Sequence, residues 1–162
     1  ATSLASGAFV NAIKTQRTLN HLMAVNSTAS LVFEQIAREI RTGYNFNVSR
    51  SIPDCGSDPS PERKRGAQLK FTRSRDNVDA TYDWDNLNKT ITLKDNPGLP
   101  ESLTASNIAV NRFCFELYQP NNASPWLITM FLTVGPSDPR IAQNVLNLET
   151  AVTARILPSE AP

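Results

Sequence analysis

The chain has 162 residues, 40% of them hydrophobic and 19% charged, with sixteen basic and fifteen acidic side chains for a net charge of +1. That length fits one domain and suffices to bury a core, and the near-balance of charge argues on bulk grounds neither for a nucleic-acid binder nor for an acidic tail. No stretch holds the roughly eighteen consecutive apolar residues a membrane-spanning helix needs, and no basic segment leads into an apolar one and a cleavage site as a secretory leader does.

From Leu19 onward, Leu22, Val25, Ala29, Phe33, Ile36 and Ile40 stand three or four apart, and the pattern stops at Gly43. This spacing predicts one long amphipathic helix. At about 100° per residue, Leu19, Leu22, Val25, Ala29, Val32, Phe33, Ile36, Ala37 and Ile40 share a broad stripe, as in a helix packed on a sheet. Phe9 and Ile13 fall nearly opposite that stripe. Two readings of them stay open: the first turns fray, or this part projects beyond the head and meets a different partner. Glu34 and Arg38 form an i,i+4 pair on the outer face, worth a few tenths of a kcal/mol and typical of a solvated surface.

After Gly43 the character changes to short alternating segments and turns. Residues 1–43 read as a helical spine, 44–66 as a loop rich in proline and small polar residues, and 67–162 as a β head. The order Val78-Asp-Ala-Thr-Tyr-Asp-Trp84 alternates, and the alternation resumes at Ile91 and Leu93, which predicts a hairpin. Phe113, Phe115 and Leu117 line one face of a further strand with Cys114 on the other. Leu127 to Val134 is nearly continuous in apolar character and predicts a central strand buried on both faces. Leu148 to Ile156 closes the chain as a last strand, and turns are expected at Asn96-Pro97-Gly98, Pro120-Asn121-Asn122 and the 135–139 segment. The fold class is α+β: a leading helix packed on a mostly antiparallel sheet.

Cys55 and Cys114 are the only cysteines and lack the close spacing of a zinc or redox site. A single structural disulfide is the natural reading; closing a loop of about 60 residues stabilises by roughly 4 kcal/mol in an oxidising compartment. Two separate buried thiols are the competing reading. His21, the sole histidine, has no Ser, Cys or Asp motif around it, so no catalytic triad can be argued. Glu101 and Glu116 are not singled out by spacing as a carboxylate pair, which leaves a secreted hydrolase the weakest class. Asp83, Asp85 and Asn88 resemble the opening of a calcium loop, but the glycine at its sixth place and the glutamate at its twelfth are missing; hairpin capping explains them better. Charge is uneven along the chain: residues 38–75 hold nine bases against four acids, and 76–101 six acids against two bases. Arg63, Lys64, Arg65, Lys70, Arg73 and Arg75 are therefore candidates for contact with a nucleic-acid backbone, with Phe71 alone to stack. Four Asn-x-Ser/Thr triplets, at Asn26, Asn47, Asn88 and Asn122, read as coincidence.

Several local phrases carry a resemblance. The helix end Ile36-Ala37-Arg38-Glu39-Ile40-Arg41-Thr42-Gly43, the segment from Leu103-Thr104 to Phe113-Cys114-Phe115, and the closing strand from Leu148 to Ile156 are together similar to the type IV pilin-like superfamily. Within it they most resemble the J-type minor pseudopilins of type II secretion and the W-type minor pilins. The hallmark amino-terminal motif, a glycine, a phenylalanine and an acidic residue five places on, is not in this chain. The resemblance therefore implies that Ala1 falls partway along a longer helix whose membrane-inserted half is missing.

It further implies a non-enzymatic structural subunit without cofactor, anchored in the inner membrane before assembly. Its head would be periplasmic or extracellular, and its partners other pilin or pseudopilin subunits in a fibre or tip complex. On that view Leu4, Phe9 and Ile13 are the assembly face and Cys55–Cys114 the staple of the head. The alternative is a tip subunit that binds DNA or a surface through the 63–75 basic stretch.

Overall fold

The computed structural model describes residues 2–121 and 123–156, with side chains from Phe9 onward. The periodic apolar residues form one helix, α1, Thr2–Arg41, of 40 residues, which at 1.5 Å per residue is about 60 Å long. Its carboxy-terminal half carries the predicted stripe into the core: Val25, Ala29, Val32, Ile36 and Ile40 are buried. The stripe does not extend to Leu19, which is 50% exposed, because the sheets beneath the helix cover only its later turns. Arg38 and Arg41 occupy the last turn, where cations favour the negative end of the helix dipole.

One residue after the helix the chain is already a strand. β1 (Gly43–Ser49), β2 (Arg63–Gly66), β3 (Gln68–Arg73), β4 (Asp79–Asp85), β5 (Thr90–Asp95), β6 (Glu101–Ser102), β7 (Ile108–Tyr118), β8 (Leu127–Pro136) and β9 (Leu146–Thr153) follow. They form two antiparallel sheets, ordered β1-β3-β4-β5-β6 and β2-β7-β8-β9. The helix packs against both, most extensively on β8 and β9.

The expected loop over 44–66 is corrected: its two ends are strands. In β1 Phe46 and Val48 enter the core while Asn45, Asn47 and Ser49 are exposed; Tyr44, also buried, pairs with Thr72 on the other face and donates its hydroxyl to the Asn77 side-chain carbonyl at 3.0 Å. A bulge between Tyr44 and Asn47 interrupts the register with β3, and Asn45 sits there with φ 57°, a left-handed conformation that asparagine tolerates better than most residues. Between β2 and β3 the chain steps from one sheet to the other. The step works because a Cβ on Gly66 would stand 2.1 Å from the Ser49 carbonyl oxygen, so only glycine lets β1 pass this close. A pair of sheets rather than one is the result.

The hairpin of β4 and β5 forms as the alternation predicts, with Ala80, Tyr82 and Trp84 inward. The Trp84 indole N–H donates to the Val110 carbonyl at 3.0 Å and ties this hairpin to β7 of the other sheet. β8 is central by pairing, but it is not buried on both faces. Ile128, Met130, Leu132 and Val134 are inward, whereas Leu127, Thr129, Phe131 and Thr133 stay half-exposed on the outer face. β9 lies slightly earlier than expected, and beyond it the Arg155 N–H donates to the Arg41 carbonyl at the end of α1, at 2.9 Å.

β7 is the strand covered on both faces. Phe113, Phe115 and Leu117 enter the core, and Cys114 and Glu116 on the opposite face are buried as well. Cys114 is covered by the segment between β1 and β2, and Glu116 by the arginines of β2. A short 3-10 turn, Pro53–Cys55, brings Cys55 to Cys114 with Cα atoms 5.5 Å apart, and the two form a disulfide. The pairing read from the sequence is thus present, and it pins the proline-rich segment over the outer face of β7.

Candidate assembly surface and charged clusters

The outer face of α1 carries most of the exposed apolar surface of the helix. Phe9 is 67%, Met23 68% and Leu31 64% exposed, with Val10 and Leu19 about half exposed; Ile13 is half-buried. Leu4 belongs to the helix, but its side chain lies outside the described residues. At about 100° per residue Phe9, Ile13, Met23 and Leu31 fall within about 80° of one another, opposite the stripe that enters the core. The sequence reading took in Phe9 and Ile13 and missed Met23 and Leu31. The signal was present, because both continue the same rotation along the back of the helix.

The six cations of the 63–75 stretch do not form one surface. Arg63 and Arg65 converge on Glu116, a buried carboxylate 53 and 51 residues away in sequence. Arg63 also lies over the Tyr118 ring and Arg65 over that of Phe131. Burial pushes the Glu116 carboxyl upward, and hydrogen bonds and charge from the two arginines outweigh it and hold it below the usual glutamate range. Lys70 pairs with Asp79 at 3.2 Å and Arg75 with Asp76 at 3.3 Å. Arg73 is buried and meets Asp95, with Glu39 at 3.6 Å and Asp76 at 3.7 Å. Lys64 alone of the six makes no ion pair among the described residues.

The Arg73 group joins helix to sheet. Glu39 on α1 faces Arg73 and accepts a hydrogen bond from the Tyr82 hydroxyl at 2.9 Å. Burial first, and then the charge of Glu39, pushes the Tyr82 phenol well above its ordinary value. Arg73 and Tyr82 are buried and Glu39 is partly so, which places an ion pair and a hydrogen bond between the helix and the five-stranded sheet.

Asp85 and Asn88 bond to each other, while Asp83 engages a different partner. Asp83 takes the Arg50 guanidinium at 2.7 and 2.8 Å. Asp85 accepts the backbone N–H groups of Leu87 and Asn88, each at 3.0 Å, and the Asn88 side-chain amide at 2.6 Å. These bonds hold its carboxyl below the ordinary aspartate range and cap the hairpin turn. Among the described residues no three His, Cys, Asp or Glu side chains gather as a cation site. Glu101 and Glu116 lie in different sheets.

A groove of about 540 Å³ opens between the amino-terminal half of α1 and the turn after β8. Lys14, Arg17 and His21 form its helical wall, with Asp138, Arg140 and Ile141 opposite. Sequence reading did not single out this site, since its two walls are more than a hundred residues apart in the chain. No known protein family, curated protein or solved structure matches this chain. Among the described residues no helix is long and apolar enough to cross a membrane.

Proposed function

We propose that this chain is a structural subunit of a pilin-like fibre or tip complex, a minor pilin or pseudopilin of a type IV pilus or type II secretion pseudopilus. The observation that carries the reading is the division of labour on α1. One side of its later turns is consumed by the head, while Phe9, Met23 and Leu31 run exposed along the opposite side. Single exposed apolar residues are ordinary on protein surfaces, but a row sharing one helical face suits burial against a neighbouring subunit. The mechanism is assembly: apolar helix surface is removed from water subunit against subunit, and the disulfide stiffens a head that works outside the cytoplasm. On this reading the subunit belongs to an inner-membrane and periplasmic machine, and its partners are other pilin-like subunits.

The tip-ligand alternative draws less support, because five of the six cations it needs already hold protein carboxylates. The test is Phe9→Glu with Met23→Glu in the full-length subunit of its own host. The expected result is loss of fibre or secretion function with an unchanged melting point of the purified chain. Normal assembly by the double variant ends the reading.

A further inference from the structure

The first thirty residues contain no Asp or Glu, and their ionisable side chains are Lys14, Arg17 and His21. At about 100° per residue these three fall within about 60° of one another. They continue, toward the amino end, the same side of the helix that Val25 and Val32 bury lower down. There the cover is β8 and β9; here it is only the 138–141 turn, and the groove stands open between them. Its one lining carboxylate is already taken. Asp138 accepts from Arg140 through Nη2 at 2.7 Å, Nε at 3.0 Å and the backbone N–H at 3.0 Å. Those hydrogen bonds, with a smaller contribution from His21, hold its carboxyl at about 2. Lys14 and Arg17 have no ion-pair partner among the described residues.

We infer that this groove docks an acidic segment of a partner protein, its carboxylates meeting Lys14 and Arg17 and an apolar side chain resting on Ile141. The inference deepens the fibre-subunit reading and rests on it for the partner being a neighbouring subunit. Two exposed cations one helical turn apart on the wall of the groove suit side-chain carboxylates on one chain segment. A duplex requires a longer track of cations along its phosphates, and a bilayer surface requires a flat basic face. Because the groove is bounded by helix and head together, an occupant reads the orientation of one relative to the other.

The test titrates the purified full chain, at low salt, with a fluorescein-labelled Glu-Glu-Leu-Glu-Glu peptide, with duplex DNA, and with phosphatidylserine vesicles. The acidic peptide is expected to bind, and Lys14→Glu with Arg17→Glu to weaken it by roughly tenfold or more, while Lys64→Glu leaves it unchanged. Lys14→Gln with Arg17→Gln replaces the reversal variant if that one melts lower than the parent. Equal peptide affinity of variant and parent overturns the inference. So does tighter binding of DNA or vesicles through the same two residues. The assembly assay separates the two proposals. If the Lys14/Arg17 variant assembles normally and the Phe9/Met23 variant does not, the groove inference falls and the subunit reading stands. If the Phe9/Met23 variant assembles while the groove still takes the peptide, the subunit reading falls alone.

Discussion

The two halves of α1 are one continuous helix with opposite relations to the rest of the molecule. From Val25 to Ile40 the helix is a wall of the core, and from Phe9 to Met23 it exposes apolar and cationic side chains to solvent. The same helical geometry serves stability in one half and leaves the other free. Substitutions should therefore separate into those that unfold the head and those that spare it.

Four measurements break or sharpen that contrast. The largest effect belongs to the disulfide: reduction of Cys55–Cys114, which closes a separation of 59 residues, should lower unfolding free energy by about 4 kcal/mol, read by denaturant titration with and without reductant. Next, Ile36→Ala removes a fully buried side chain and should cost about 3 kcal/mol; a loss under about 0.5 kcal/mol would show that the carboxy-terminal half is not core.

Glu116→Gln comes third, at about 2 kcal/mol, below the range for fully buried pairs because Arg63 and Arg65 are 42% and 32% exposed. It also carries a pH signature. The folded carboxyl titrates below its ordinary 4.5, so its contribution is complete above that pH and is lost as acid approaches the lowered folded value. The stability gap between parent and Glu116→Gln should accordingly narrow as pH falls below 4.5; a gap constant between neutral and acid pH would place the carboxylate outside the two guanidinium groups' influence. The smallest effect is that of Phe9→Ala, expected within about 0.5 kcal/mol of the parent. A larger loss would assign Phe9 to the core and dissolve the contrast.

The sequence made legible those features whose cause is local. The 3.6-residue period exposed the buried stripe, and the two-residue period exposed the β4–β5 hairpin. Leu19 was assigned to the stripe because periodicity says which way a residue faces and not how far the covering sheet extends. β1 was missed because the bulge at Asn45 breaks its two-residue period, leaving only Phe46 and Val48 in alternation, and the prolines that follow drew the boundary too early. The chain's step between sheets at Gly66 depends on the approach of Ser49, which no local pattern announces. Charge behaved likewise: Arg63, Arg65 and Arg73 read as a basic stretch until Glu116, Asp95 and Glu39 arrive from distant parts of the chain. The apolar row from Phe9 to Leu31 was legible in the helical period and only half read, whereas the groove needed a three-dimensional sense of what lies opposite.

The bond from the Arg155 N–H to the Arg41 carbonyl gives the end of α1 a second attachment to the head. A load carried along α1 leaves Arg41 by two connections. One branch runs covalently through Gly43 into β1, an outer strand of the five-stranded sheet, and the other through that hydrogen bond into the segment following β9, an outer strand of the four-stranded sheet. The end of α1 is thus tied to an outer strand of each sheet, by the covalent chain on one side and by a single backbone hydrogen bond, worth about 1 kcal/mol, on the other.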